Sequence, residues 1–192
     1  MDYKPYILGI LLIIILLTII KVKIGKKNKL PPKENLEIER KFILKDVPVL
    51  PGNETEILLI QQIYVKEGKD RTRYRMTSSL DGLTKVYHKC NKKSLSPGVF
   101  EEIEEEVTKE VFKKKLKVPH REIIKTRYVY KEGGLKWEID KYDRMRFVTL
   151  EVELDDINQK IKIPKCIADY VIAEVTGVKG FSNYKLSFEG SY

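Results

Sequence analysis

Residues 36–42, Leu-Glu-Ile-Glu-Arg-Lys-Phe, alternate in a way that few folds can accommodate. Side chains of an extended strand point to opposite faces with period two. Glu37, Glu39 and Lys41 therefore share one face, and Ile38, Arg40 and Phe42 share the other. The pattern returns along the chain. Arg73 and Arg75 flank Tyr74; Lys85, Tyr87 and Lys89 share a face; Glu102 and Glu104 flank Ile103. Lys125 and Arg127 flank Thr126, Glu138 and Asp140 flank Ile139, and Glu151 and Glu153 flank Val152. An open sheet with one wet face would also alternate. Here, however, the charges come in pairs of a single sign per strand, acidic at 37/39, 102/104, 138/140 and 151/153 and basic at 73/75, 85/89 and 125/127. A sheet closed into a barrel with that face inward encloses carboxylates and cations together. Such a lumen suits divalent cations held by carboxylates and a polyanion held by Arg and Lys.

The order of runs and turns points to the same architecture. Strand-like runs fall at about 36–44, 57–66, 71–78, 83–91, 99–107, 122–131, 135–142 and 147–154. Turn chemistry separates most of them: Pro-Gly-Asn at 51–53, Glu-Gly-Lys-Asp at 67–70, Asp-Gly at 81–82, Ser-Pro-Gly at 96–98 and Gly-Gly at 133–134. Connections this short give antiparallel hairpins and leave no room for βαβ crossovers. Helices are expected over Thr108–Lys117, Asp156–Ile161 and Pro164–Glu174. The fold class is mainly β, a closed eight-stranded antiparallel barrel with a few covering helices.

Ahead of this domain, Tyr6–Ile20 is uncharged and strongly apolar, and Lys21, Lys23, Lys26, Lys27 and Lys29 follow it. The run is extended by Val22 and Ile24 if the lysines between them snorkel. No net positive charge precedes it and no small-x-small site follows, which argues against a cleaved signal peptide. The expectation is a single-pass anchor over residues 1–24, a basic linker over 25–34 that favours anionic headgroups, and a domain over 35–192 on the cytoplasmic side. Residues 1–33 hold seven lysines and one aspartate, +6 of the chain's formal +9. The remaining +3 makes the domain only mildly basic, which argues against a nucleic-acid partner. The histidines, His88 and His120, are far apart, and Cys90 and Cys166 lack metal-ligand spacing. Zinc chemistry and a histidine triad are therefore not expected. Trp137, Tyr128, Tyr130 and Phe147 read as outer-face packing, and His88 and Cys90 as residues of the outer face.

Read together, the motifs resemble those of the CYTH, or triphosphate tunnel metalloenzyme, superfamily. Glu37-x-Glu39-x-Lys41 matches its opening ExExK. Arg73-Tyr-Arg75, Lys89 (with Lys85 as the alternative) and the Phe100–Glu106 strand follow in the family's order. Next come Lys125-Thr-Arg127-Tyr128, Trp137-Glu-Ile-Asp140, Glu151-Val-Glu153 and Glu174-Val-Thr with Asn183-x-x-Leu186. The wording is closest to the tripolyphosphatase-like branch. The resemblance implies Mg²⁺ or Mn²⁺ held by Glu37, Glu39, Glu151 and Glu153 with Asp140 beside them, and Glu102 or Glu104 completing the acidic side. It implies phosphate binding by Lys41, Arg73, Arg75, Lys89, Lys125 and Arg127, with Lys185 or Lys179 at the plug. The implied activity is metal-dependent triphosphate hydrolysis. Adenylyl cyclase, RNA 5′-triphosphatase and a non-catalytic polyphosphate-binding module are the alternatives. Oligomeric state, metal preference and the particular triphosphate are not legible.

Overall fold

Eight of the strands close on themselves. The computed structural model describes residues 32–189, and its strands are β1 (Leu36–Leu44), β2 (Thr55–Glu67), β3 (Asp70–Ser79), β4 (Lys85–Ser96), β5 (Val99–Glu106), β6 (His120–Glu132), β7 (Leu135–Tyr142), β8 (Val148–Glu153) and β9 (Val171–Glu174). The sheet order is β5-β4-β3-β2-β6-β7-β8-β1-β9, and a further β5–β1 pairing closes the barrel. All pairings are antiparallel, as the short turns require. One edge of β1 is shared: Leu36, Glu37 and Ile38 pair with β5, whereas Phe42, Ile43 and Leu44 pair with β9.

The apolar faces point outward and are covered. Phe42, Leu44, Tyr130, Trp137, Ile139, Val148, Leu150, Val152 and Ile167 form the largest buried cluster, over which Val47, Leu50, Ile161, Ile163 and Tyr170 pack. On the opposite flank, Ile63, Val65 and Tyr74 meet Phe112 of helix α1 (Lys109–Leu116). Thr108 caps α1 by accepting from the Val111 amide, and three lysines occupy its last turn, where they complement the helix dipole. Two short helices follow, α2 (Lys165–Ala168) and α3 (Asn183–Glu189).

The C-terminal part differs from expectation. Residues 156–161 form turns and irregular chain. The helix expected over Pro164–Glu174 stops at Ala168, and 171–174 become β9, because the free half of the β1 edge offers unpaired backbone groups. Phe147 is not on the outer face. It packs with Tyr142 and Phe181 near Ile123 and Leu186, where α3 closes one end of the barrel. Among the described residues no helix is long and apolar enough to cross a membrane. The expected anchor over 1–24 lies outside the described residues.

Candidate active site: a charged tunnel

Strand parity decides which residues enter the barrel. Residues directly opposite in a ladder share a face, so one inward residue fixes its neighbours. Lys41 opposes Glu151, Glu151 opposes Glu138, and Arg127 opposes Asp140. Gln62 opposes Arg75, Tyr64 opposes Arg73, Arg73 opposes Cys90, and Lys92 opposes Glu102. The cavity in the barrel is open to solvent and has a volume of about 730 Å³, a size typical of small-ligand sites. Nine cationic and seven carboxylate side chains line it.

Those charges form two networks. In the first, Lys92 Nζ reaches Glu37 in a very short ion pair, Glu39 at 3.3 Å and Glu102 at 3.5 Å. Arg73 Nη2 donates to Glu102 and Glu104, both at 2.8 Å. In the second, Lys41 Nζ lies 2.6 Å from Glu151. Arg127 donates to Asp140 at 2.7 and 2.8 Å, pairs with Glu138, and reaches Glu151 at 3.2 Å. Lys125 donates to Asp140 at 2.5 Å. Lys136 joins Glu138 at 2.8 Å.

Burial sets the proton affinities. Lys125 is 1% exposed, and burial together with the Arg127 charge outweighs Asp140, pushing its pKa down to about 8. Glu37 is raised to about 8, chiefly by burial, with Lys92 opposing and Glu39 and Glu102 adding to the rise. Glu151 is held well below the usual carboxylate range, because Lys41, Lys125 and Arg127 outweigh its burial. Cys90, 1% exposed in the tunnel wall, is pushed up to about 12 by burial, so it remains a thiol.

Arg75 stands apart. Its Nε is buried without a hydrogen-bond partner, and among the described residues no carboxylate forms an ion pair with it. Burial, Arg73 and Arg127 all weaken its hold on its proton. A guanidinium in that position is satisfied by an incoming anion with planar, bidentate oxygens.

Most expected site residues do meet here: Glu37, Glu39, Lys41, Arg73, Arg75, Glu102, Glu104, Arg127, Glu151, Glu153, Lys179 and Lys185 all line the cavity. Glu102 and Glu104 have the same parity and both face inward. Three positions differ. Lys89 lies on the outer face, 2.9 Å from Glu105, and Lys85 shares its parity. The inward side of β4 instead carries Cys90 and Lys92, with His88 on the same side opposite Arg75, so His88 and Cys90 are not on the outer face as expected. The Arg73–Cys90 pairing sets this parity, and the strand runs on to Ser96. Asp140, fully buried, bonds Lys125 and Arg127 through both oxygens and is absent from the cavity lining. Lys125 is likewise sealed behind the wall and absent from the cavity lining. Tyr64, which accepts from Gln62 Nε2 at 2.7 Å, and Glu138 also line the tunnel and had not been singled out as site residues.

The donor set fits a hard divalent ion. Glu37, Glu39 and Glu102 already converge on one cation, the Lys92 ammonium, and Glu153 opposes Glu39 across the β1–β8 ladder. Carboxylate oxygens suit Mg²⁺ or Mn²⁺. Ligand atoms of Cys90, Glu102 and Glu104 also lie within 4.8 Å of one another. There, however, Arg73 bonds both glutamates and the sulfur stays protonated.

No family model and no curated protein matches the chain. Solved structures do. The hypothetical protein NE1496 is 24% identical over 79% of this chain and 97% of its own, with a TM-score of 0.50. A second structure of NE1496, described as an inorganic triphosphatase, is 23% identical over 79% and 93%, with a TM-score of 0.49. HpAC1 from Hippeastrum, whose structure is described as revealing a dominant triphosphatase activity, is 17% identical over 62% and 80%, with a TM-score of 0.43. The first likeness speaks to the fold. The closed antiparallel barrel of this chain is the fold of NE1496.

Proposed function

We propose that the chain is a divalent-metal-dependent triphosphate hydrolase that releases orthophosphate from inorganic triphosphate or from a nucleoside or organic triphosphate. The observation that carries the reading is Arg75, a half-buried guanidinium that forms no ion pair among the described residues, set in the tunnel wall beside Arg73 and Arg127, which are already paired with acids. A bound polyanion is what such a wall lacks. The description of NE1496 as an inorganic triphosphatase supports the same reading.

Phosphoanhydride hydrolysis needs charge neutralisation, in-line water and stabilisation of the leaving phosphate. Arg73, Arg75 and Arg127 hold phosphate oxygens, with Lys41 and Lys92 reaching the same lumen. Asp140 and Glu138 orient Arg127, so its fork is set before substrate arrives. Glu37, Glu39, Glu102 and Glu153 would hold the Mg²⁺ or Mn²⁺. When bound, that ion supplies further neutralisation of non-bridging oxygens and lowers the pKa of water. Among the described residues no histidine lines the tunnel, its serines Ser94, Ser96 and Ser182 are exposed, and Cys90 is held as a thiol.

We also propose that the apolar run before the domain anchors it at a membrane, with the tunnel on the cytoplasmic side. Carbonate extraction of cell membranes checks this: anchored chain stays in the pellet, and release into the supernatant refutes it.

The activity test is phosphate release by the full-length chain from tripolyphosphate, ATP, GTP and thiamine triphosphate, with and without Mg²⁺ or Mn²⁺. Metal-dependent orthophosphate release, lost in Glu39→Gln and Glu153→Gln, is the expected result. Pyrophosphate from ATP would identify a cyclase instead, and triphosphate binding without release a binding module.

A further inference from the structure

The position that carboxylates prepare for a metal already contains a positive charge. Lys92 Nζ sits among Glu37, Glu39 and Glu102, in a very short pair with the first and 3.3 and 3.5 Å from the others. It also lies 4.2 Å from the centroid of the Phe100 ring, which walls it in from one side. No other ammonium or guanidinium of the described residues contacts Glu37 or Glu39. Without Lys92, Glu37 and Glu39 would face each other and Glu102 with no cation in contact with either, only Glu102 keeping Arg73, a costly arrangement.

We infer that Lys92 is a built-in stand-in for the catalytic cation: it neutralises the carboxylate cluster in the metal-free chain, and an arriving divalent ion displaces it into the lumen. This rests on the proposed metal-dependent reading of the tunnel. Two consequences follow from the geometry. The ion competes with a tethered ammonium, so its apparent affinity is reduced by the fraction of time that Lys92 is out of the way. Displacement then frees one more cation beside Arg73, the residue with which Lys92 shares Glu102. Metal binding therefore adds both its own charge and that of Lys92 to the surface a triphosphate meets. The two ligands bind with positive coupling, and linkage makes the coupling reciprocal.

The inference is specific to Lys92. Lys41 has a partner of its own in Glu151 and also donates to the Phe181 carbonyl at 3.2 Å. Arg73 is held by two glutamates through one nitrogen. Neither touches Glu37 or Glu39.

The test is Mn²⁺ binding to the full-length chain by calorimetry, without any triphosphate, for wild type, Lys92→Met and Lys92→Arg. If the ammonium occupies the position nine-tenths of the time or more, Lys92→Met binds Mn²⁺ at least about tenfold more tightly than wild type. Lys92→Arg, which keeps a cation there, stays within about threefold of wild type. A second readout needs no variant: acetylation of Lys92 by acetic anhydride, followed by mass spectrometry, rises several-fold in wild type when Mn²⁺ is added. Equal or weaker Mn²⁺ binding by folded Lys92→Met overturns the inference. So does acetylation of Lys92 that is unchanged or reduced while Mn²⁺ is bound. Absence of Mn²⁺ binding in all three proteins overturns the metal-dependent reading itself, and the inference with it.

Discussion

Replacing Arg75 with methionine separates what the tunnel needs for stability from what it needs for substrate. In the ligand-free chain this guanidinium has a buried, unpartnered Nε and two cationic neighbours, Arg73 and Arg127. It makes no ion pair that its removal would break. Exchanging buried charge for apolar volume is often neutral or stabilising by 1–4 kcal/mol, and for this half-buried side chain we expect about 0–2 kcal/mol. In a domain of this size 1 kcal/mol is about 2–4 °C, so Tm should stay level or rise by a few degrees. Binding should move the other way. A charge-assisted hydrogen bond contributes about 1.5–3 kcal/mol, so losing one or two weakens tripolyphosphate binding by at least about tenfold. Arg127→Met is the control. It strips partners from Asp140, Glu138 and Glu151 and should cost about 3–5 kcal/mol. Thermal unfolding without ligand and calorimetry with tripolyphosphate read both effects. If Arg75→Met lost as much stability as Arg127→Met, or bound tripolyphosphate as wild type does, Arg75 would not be the waiting anion contact argued here.

Other consequences are open to simpler experiments. Lys125 is pushed from 10.5 to about 8 when folded, so between those values the unfolded chain holds more protons and stability rises with pH. Wild type should therefore gain on Lys125→Met as pH climbs from about 8 to 10.5 in urea titrations, and a gap that narrows there contradicts the assignment. Gly98 has φ +74°, and a Cβ on it would stand 2.7 Å from the Glu39 carbonyl oxygen and 2.8 Å from Ile157 and Thr176. Gly98→Ala should cost about 3 kcal/mol, whereas Gly82→Ala, at φ +73° in open space, should cost about 1 kcal/mol. Thermal melts of the two variants rank them. Iodoacetamide at pH 8 should label half-buried Cys166 well before the sealed Cys90 thiol, which peptide mass spectrometry resolves.

Most of the barrel was legible because alternation and turn chemistry are local. The runs at 36–44, 99–107, 135–142 and 147–154 lie within a residue or so of β1, β5, β7 and β8, and β2, β3 and β6 extend theirs by only a few residues. Parity was legible wherever one face is charged and the other apolar, as in Trp137-Glu-Ile-Asp. In β4 it was not. Lys85, Tyr87 and Lys89 on one face look as plausible an inner set as Val86, His88 and Cys90, and only the Arg73–Cys90 pairing decides. That ambiguity, with an expected strand end at residue 91, hid Lys92. Asp140 sits away from the cavity lining for a different reason: its side of the strand was right, but depth was not readable, and Lys125 and Arg127 bond its oxygens there. The 171–174 segment becomes a strand through the free edge of β1, a tertiary effect invisible in local propensity.

The most direct test of the whole account is ³¹P NMR of tripolyphosphate incubated with the full-length chain and Mg²⁺. The account predicts orthophosphate and pyrophosphate appearing in equal amounts, with none formed when EDTA replaces the metal. Tripolyphosphate left intact by a folded, metal-loaded chain, together with ATP, GTP and thiamine triphosphate left intact in parallel samples, would contradict it.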